Sequence, residues 1–234
     1  MTTKNPVEKI IRIEGVTKTF TTGEGIDGKL FVLRGVTLDI TQGEIIAVVG
    51  ASGAGKSTLL HIIGTIDRPT SGRVHYKGID VFAMSDEDLA RFRNREIGFV
   101  FQFHHLLPEF SVLENVAMPA LIMGKGLAEV GNTAMDLLKE VGLEDRAHFK
   151  PTKLSGGEQQ RAAVARALMN TPMVILADEP SGNLDTTNAQ ALHELIWNLS
   201  RGHGQTFVIV THNESLAKQA DRIARITDGV VKTS

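Results

Sequence analysis

The 234-residue chain contains no cysteine. That excludes disulfides and thiol chemistry, and it fits a reducing compartment. Aromatic residues are few, with one Trp, one Tyr and ten Phe. Neither sign of charge dominates: 25 Lys and Arg face 27 Asp and Glu, for a net charge of −2. A general nucleic-acid binder carries a basic footprint that this balance does not supply. Long apolar runs are also missing. The longest, such as 45–49 and 173–177, reach about five residues, whereas a membrane span needs about 20. The opening MTTKNPVEKIIRIEG has no apolar stretch of signal-peptide length. No internal repeat or low-complexity linker interrupts the chain. The sequence therefore reads as a soluble chain that acts at a membrane only through a separate subunit.

What is present is ordinary globular composition, 42% hydrophobic, at a length that predicts one domain with a substantial core. Ile10–Val16 and Val32–Ile40 alternate and predict antiparallel strands, joined by the polar, glycine-rich loop TTGEGIDGK. Ile45–Val49 is a continuous apolar run of the kind found in buried parallel strands. Segments 98–101, 173–177, 207–210 and 222–227 predict further strands. Ser85-Asp-Glu-Asp88 and Ser111-Val-Leu-Glu114 carry capping-box spacing. Leu127, Val130, Ala134, Leu137, Leu138 and Val141 recur at helical spacing, so residues 85–160 are expected to be mostly helical. The expected fold is α/β: a P-loop NTPase with a RecA-like parallel core, an N-terminal antiparallel β subdomain and a helical insertion at about 103–168, all within one domain spanning 1–234.

The sharpest signal follows the apolar strand. Gly50-Ala51-Ser52-Gly53-Ala54-Gly55-Lys56-Ser57, continued by Thr58, fits G-x-x-x-x-G-K-[ST] with a helix after it. Its glycines let successive N–H groups wrap a phosphate. Lys56 is expected to reach the β- and γ-phosphates and Ser57 to hold Mg²⁺. The natural second half is the run 173–177 ending in Asp178 and Glu179. Asp178 is a candidate Mg²⁺ ligand, directly or through water, and Glu179 is placed to accept a proton from an attacking water. No guanine-reading N-K-x-D motif appears, so adenine is expected, with Phe20 as a candidate stacking ring. Cofactors are then ATP and Mg²⁺. A second anion-presenting helix start stands at Leu154-Ser155-Gly156-Gly157-Glu158.

Together these motifs make the chain resemble the nucleotide-binding subunits of ATP-binding cassette (ABC) transporters, from about residue 10 to 232. The resemblance implies a role for each matching position. Phe20 stands at the aromatic that stacks on adenine, usually tyrosine. Residues 50–58 match Walker A and 174–179 match Walker B, with Glu179 as catalytic base. Gln102 matches the glutamine that senses Mg²⁺ and the γ-phosphate. Residues 154–158 match LSGGQ, with Glu158 where glutamine is usual. Ser181-Gly-Asn-Leu-Asp185 matches the D-loop, and His212 the switch histidine. The other seven histidines show no metal-ligand spacing. The resemblance also implies a head-to-tail pair of chains, in which Ser155, Gly156 and Gly157 of each cap the γ-phosphate on the other's Walker A.

The resemblance further implies a separate permease, which places the chain peripherally on the cytoplasmic side of an inner membrane. Within the family, FVFQFHHLLPEFSVLENVAMP (99–119) and ADEPSGNLD are similar to ATPases of lipoprotein-releasing, macrolide-efflux and cell-division systems. His104-His105 favours lipoprotein release among them. Another exporter of the group, or a soluble ABC ATPase acting on DNA or ribosomes, stays open as an alternative. Glu179 and His212 argue against a non-hydrolysing module.

Overall fold

A computed structural model describes residues 8–26 and 28–233; the opening residues 1–7, residue 27 of the glycine-rich loop and residue 234 lie outside the described residues. In chain order, β1 (Lys9–Ile26), β2 (Lys29–Thr41) and β3 (Ile45–Val49) lead into α1 (Lys56–Ile63). β4 (Ser71–Tyr76) and β5 (Ile79–Asp80) follow, then α2 (Asp86–Glu96) and β6 (Ile97–Phe101). Next come α3 (Val112–Ile122), α4 (Leu127–Glu140) and α5 (Gly156–Leu168). The remainder is β7 (Val174–Asp178), α6 (Thr186–His203), β8 (Thr206–Val210), α7 (Glu214–Gln219), β9 (Arg222–Thr227) and β10 (Val230–Thr233). Two compact units result, one from residues 1–89 and 204–234, the other from 90–203.

The first unit holds an antiparallel sheet in the order β2-β1-β4-β5. Ile13 faces Leu38 and Ile11 faces Ile40, so the two alternating segments pair as the sequence predicts. Both strands run on into the polar loop, and Ile26 faces Lys29. Backbone pairing there overrides the polar, glycine-rich composition that reads as a longer turn. β4 is not evident from composition, because its buried Val74 and Tyr76 alternate with Arg73 and His75. In the same unit β3 pairs in parallel with both β8 and β9. A strand with neighbours on both edges and cover on both faces must be apolar throughout, which is why Ile45–Val48 are all buried. β10 returns antiparallel to β9 through Asp228-Gly229, both with positive φ. That dipeptide is the usual chemistry of a two-residue hairpin turn.

In the second unit β6 and β7 pair in parallel, from Ile97 opposite Val174 to Phe101 opposite Asp178. α3, α4 and α5 share a core that includes Val116, Val130, Ala134, Leu138, Ala162 and Ala165. The helical spacing read at 127–141 delivers Val130, Ala134, Leu138 and Val141 to it, while Leu127 stays exposed. Ser111 and Glu114 form the predicted reciprocal capping box at the start of α3. At Ser85 the hydroxyl accepts from the Asp88 N–H at 3.2 Å. Strand–loop–helix, antiparallel N-terminal sheet and helical cluster are the parts of the P-loop ATPase fold expected from the sequence.

One contact joins the antiparallel sheet to the P-loop helix inside the first unit. The Tyr76 hydroxyl, fully buried on β4, donates to the Ile63 carbonyl at 2.7 Å. Ile63 is in the last turn of α1, where carbonyls lack partners within the helix. Burial pushes the Tyr76 pKa well above the usual tyrosine range, so the group stays a neutral donor. Tyr76→Phe removes the donor and leaves a buried acceptor unmet. It should lower stability by about 1–2 kcal/mol in urea denaturation. A midpoint equal to wild type would show that the carbonyl finds another partner.

Candidate nucleotide site

In the first unit the phosphate loop is built by close approach. A Cβ on Gly50 would meet the Ile226 carbonyl oxygen at 2.4 Å, and one on Gly55 would meet the Leu33 side chain at 2.9 Å. Gly55 is also left-handed (φ 100) and sits at the N-cap of α1, where it provides no side-chain cap. Gly55 therefore leaves the start of α1 without a side-chain cap, and a helix start of this kind can receive an anion. The Lys56 ammonium arches back to the Gly50 and Ala51 carbonyls, at 3.0 Å each. It is thus held over the loop. Ser57 is exposed in the first helical turn, with Thr58 beside it. Gly50, Ala51, Ser52, Gly53 and Ala54 line a cavity of about 730 Å³ together with Thr211 and His212. The loop and the candidate switch histidine therefore meet, because β8 runs parallel beside β3 and delivers His212 at its end.

Phe20 is 38% exposed, with the Lys18 ammonium 4.8 Å from its ring centre. Phe31, which the sequence reading passed over, lines the cavity; Phe20 is not among its lining residues. The signal for Phe31 was available only through pairing, since Phe20 faces Leu30 across the hairpin and Phe31 is the next residue.

The second unit carries the other candidates. The β6–β7 register sets Phe101 opposite Asp178, so Gln102 and Glu179 leave their strands side by side. Glu179 takes a left-handed backbone (φ 47), unusual for a non-glycine residue and costing strain that surrounding bonds must hold. Those bonds are specific. The Gly182 N–H donates to the Glu179 carbonyl at 2.9 Å. The Gln102 amide donates to Asn183 at 2.8 Å, and Asn183 donates back to the Gln102 carbonyl at 3.3 Å. Glu179 and Gln102 are thus each tied by hydrogen bonds to the loop 181–185. Ser57 in the first unit and, separately, Asp178 and Gln102 in the second each carry a side-chain oxygen of the hard type that Mg²⁺ takes.

The LSGGE segment differs from the phosphate loop in one respect. Ser155 is the N-cap of α5 and its hydroxyl accepts from the Glu158 N–H at 3.3 Å, while the Glu158 carboxylate accepts from the Ser155 N–H at 2.8 Å. This is a second reciprocal capping box, missed at sequence level although S-x-x-E spells it. Gly156 and Gly157 are not used by the box. Gly156 is exposed, and Gly157 is buried where a Cβ would meet the Asn188 side chain at 2.5 Å. Backbone and side-chain hydrogen bonds from Ser155 hold Glu158 below the usual carboxylate range, and Arg146 lies 3.3 Å from the carboxylate. Glu158→Ala should cost about 1 kcal/mol in urea at neutral pH, and Glu158→Gln less. The folded pKa is depressed, so this stabilisation is present above the unfolded value and is lost as pH falls through the folded one. The gap between wild type and Glu158→Ala should therefore close in acid; a gap constant with pH would show that the carboxylate's charge contributes nothing.

Comparison with known proteins identifies the family. A family model described as ABC transporter matches residues 33–182. The lipoprotein-releasing system ATP-binding protein LolD of Bacteroides fragilis is 54% identical over 220 residues, covering 94% of this chain and 99% of that protein. LolD of Bacteroides thetaiotaomicron is 55% identical over 223 residues, 95% and 99%. Among solved structures, the ATP-binding cassette MJ0796 in a dimeric post-hydrolysis state bound to ADP and Pi superposes with a TM-score of 0.86. It is 39% identical and covers 96% of this chain and 97% of that one. The chain belongs to the ABC transporter family.

Proposed function

We propose that the chain is the ATP-hydrolysing subunit of a lipoprotein-releasing transporter, working as a head-to-tail pair on LolC/LolE-like permease subunits at the cytoplasmic face of the inner membrane. Identity above one half, end to end, with LolD proteins carries this reading. Among the described residues no helix is long and apolar enough to cross a membrane, in keeping with a peripheral engine. We assign both compact units to one nucleotide-binding domain spanning 1–234, with its helical subdomain at about 103–168.

In this reading the P-loop residues 50–58 bind the ATP phosphates through backbone N–H groups and Lys56. Ser57, Asp178 and Gln102 hold Mg²⁺, which neutralises phosphate charge. An aromatic near the hairpin, Phe20 with Phe31 beside the cavity, receives adenine. Glu179 accepts the proton of the attacking water, and His212 contacts the γ-phosphate. Ser155, Gly156 and Gly157 present the start of α5 to the partner's γ-phosphate, so ATP closes the pair and hydrolysis releases it. The exposed Phe103, Leu107 and Phe110 belong to the surface that receives the permease.

Glu179→Gln should retain ATP binding and lower turnover by a factor of about 10²–10⁴, the range for a lost general base. Near wild-type hydrolysis would remove Glu179 from that role. Lys56→Ala should abolish turnover, and full activity would reject the P-loop assignment. The transport system itself is tested by capture. Tagged Glu179→Gln chain is recovered with ATP from detergent-solubilised membranes, and its companions are identified by mass spectrometry. A pair of lipoprotein-releasing permease subunits is expected. A different permease, or ribosomal and DNA-repair proteins without a membrane partner, would reject lipoprotein release.

A further inference from the structure

Helix α6 carries one residue that packing alone does not explain. His193 lies on its apolar face, in line with the buried Leu192, Ile196 and Leu199, and is itself only 3% exposed. Its Nε2 meets the Ser181 hydroxyl at 2.8 Å. Its Nδ1 is buried with no hydrogen-bond partner. A leucine here would fill the face without stranding a polar atom, so the imidazole carries a desolvation cost that only the Ser181 bond offsets. Burial lowers the His193 pKa, consistent with a neutral ring. An unmet N–H is rarer in buried sites than an unmet acceptor. The tautomer that fits has its proton on Nε2, donated to the Ser181 oxygen, with Nδ1 bare.

Ser181 lies two residues beyond Glu179, in the turn strained by the left-handed Glu179 backbone. The turn is pinned on one side by Gln102 through Asn183 and internally by the Gly182 N–H on the Glu179 carbonyl. The Leu184 N–H donates to the Ser181 carbonyl at 3.1 Å, which makes Ser181 the pivot between Glu179 and the rest of the loop. His193 is the anchor from the helix beneath.

We propose that His193 is a positioning residue for ATP hydrolysis: through Ser181 it holds the turn that keeps Glu179 in its left-handed backbone. The inference rests on the assignment of Glu179 as base. It predicts that binding and chemistry separate. A turn released from α6 still leaves the P-loop intact, so ATP affinity persists while the base is less often in place.

The test compares His193→Leu, Ser181→Ala, their combination and His193→Gln in the permease complex, each with a thermal melt. Loss of a single neutral hydrogen bond that orders the base should lower kcat by about tenfold in either single variant. KM for ATP should stay within about threefold, the double variant should be no slower than the slower single one, and His193→Gln, which keeps an amide donor, should recover most of the rate. The His193→Leu melting midpoint should not fall. Unchanged kcat, additive losses, a parallel fall in kcat and ATP affinity, or a lowered midpoint tracking the lost rate would each overturn the proposal. Ser181→Ala, at a loop position, keeps the question open to refutation even if a histidine variant folds poorly. Glu179→Gln is run alongside. If it hydrolyses ATP normally the base assignment fails; if it is inactive while the His193 and Ser181 variants are normal, only the anchoring role fails.

Discussion

The structure turns on the start of α1, where a left-handed glycine stands at the N-cap and supplies no side-chain cap. Glycine has no side chain to accept from the first turn. Most helices answer this need with a serine, threonine or acid, as α3 does with Ser111. A start without a side-chain cap suits an anion, which is why the proposed function places a phosphate there. The surrounding features follow from that choice. Gly50 is required because the loop passes against the β9 backbone, and Gly55 because it both turns left-handed and presses on β2. Lys56, folded back on two loop carbonyls, keeps a cation within the cradle.

The second helix start solves a different problem with a different cap. α5 has a complete capping box, so it holds its shape without a ligand, and Gly156 beside it stays exposed. The contrast separates a binder from a reader. In the proposed function, one terminus is completed by the nucleotide it holds; the other is already stable and adds only the contacts made when a nucleotide is presented to it. Glu158 brings a negative charge close to that reading surface, and Arg146 at 3.3 Å offsets it. A glutamine would cap without the charge, so glutamate is the more demanding choice and binds the cap to its arginine.

Much of this was legible in residue order. Strand β3, the P-loop, the acidic end of β7 and the histidine after β8 announce themselves because buried parallel strands are uniformly apolar and the chemistry sits at their carboxyl ends. What stayed hidden depended on partners distant in sequence. β4 sets Arg73 and His75 between its buried residues, and pairing with β1 and β5 makes it a strand. Phe31 reads as an ordinary hairpin residue until the cavity beside it is formed. His193 is one of eight histidines, and nothing local marks it until the turn at Ser181 folds down on it. The capping box at Ser155 was spelled in the sequence but masked by the stronger reading of the same four residues as an anion site.

The central claim is that one chain binds ATP and another chain's Ser155–Gly157 terminus reads it. Sedimentation velocity of the Glu179→Gln chain, in Mg²⁺ with ATP and then with ADP, tests it most directly. The account predicts a dimer in ATP, a monomer in ADP, and a monomer in both once Ser155→Arg is added. The same mass in both nucleotides, or an ATP dimer indifferent to Ser155→Arg, would contradict it.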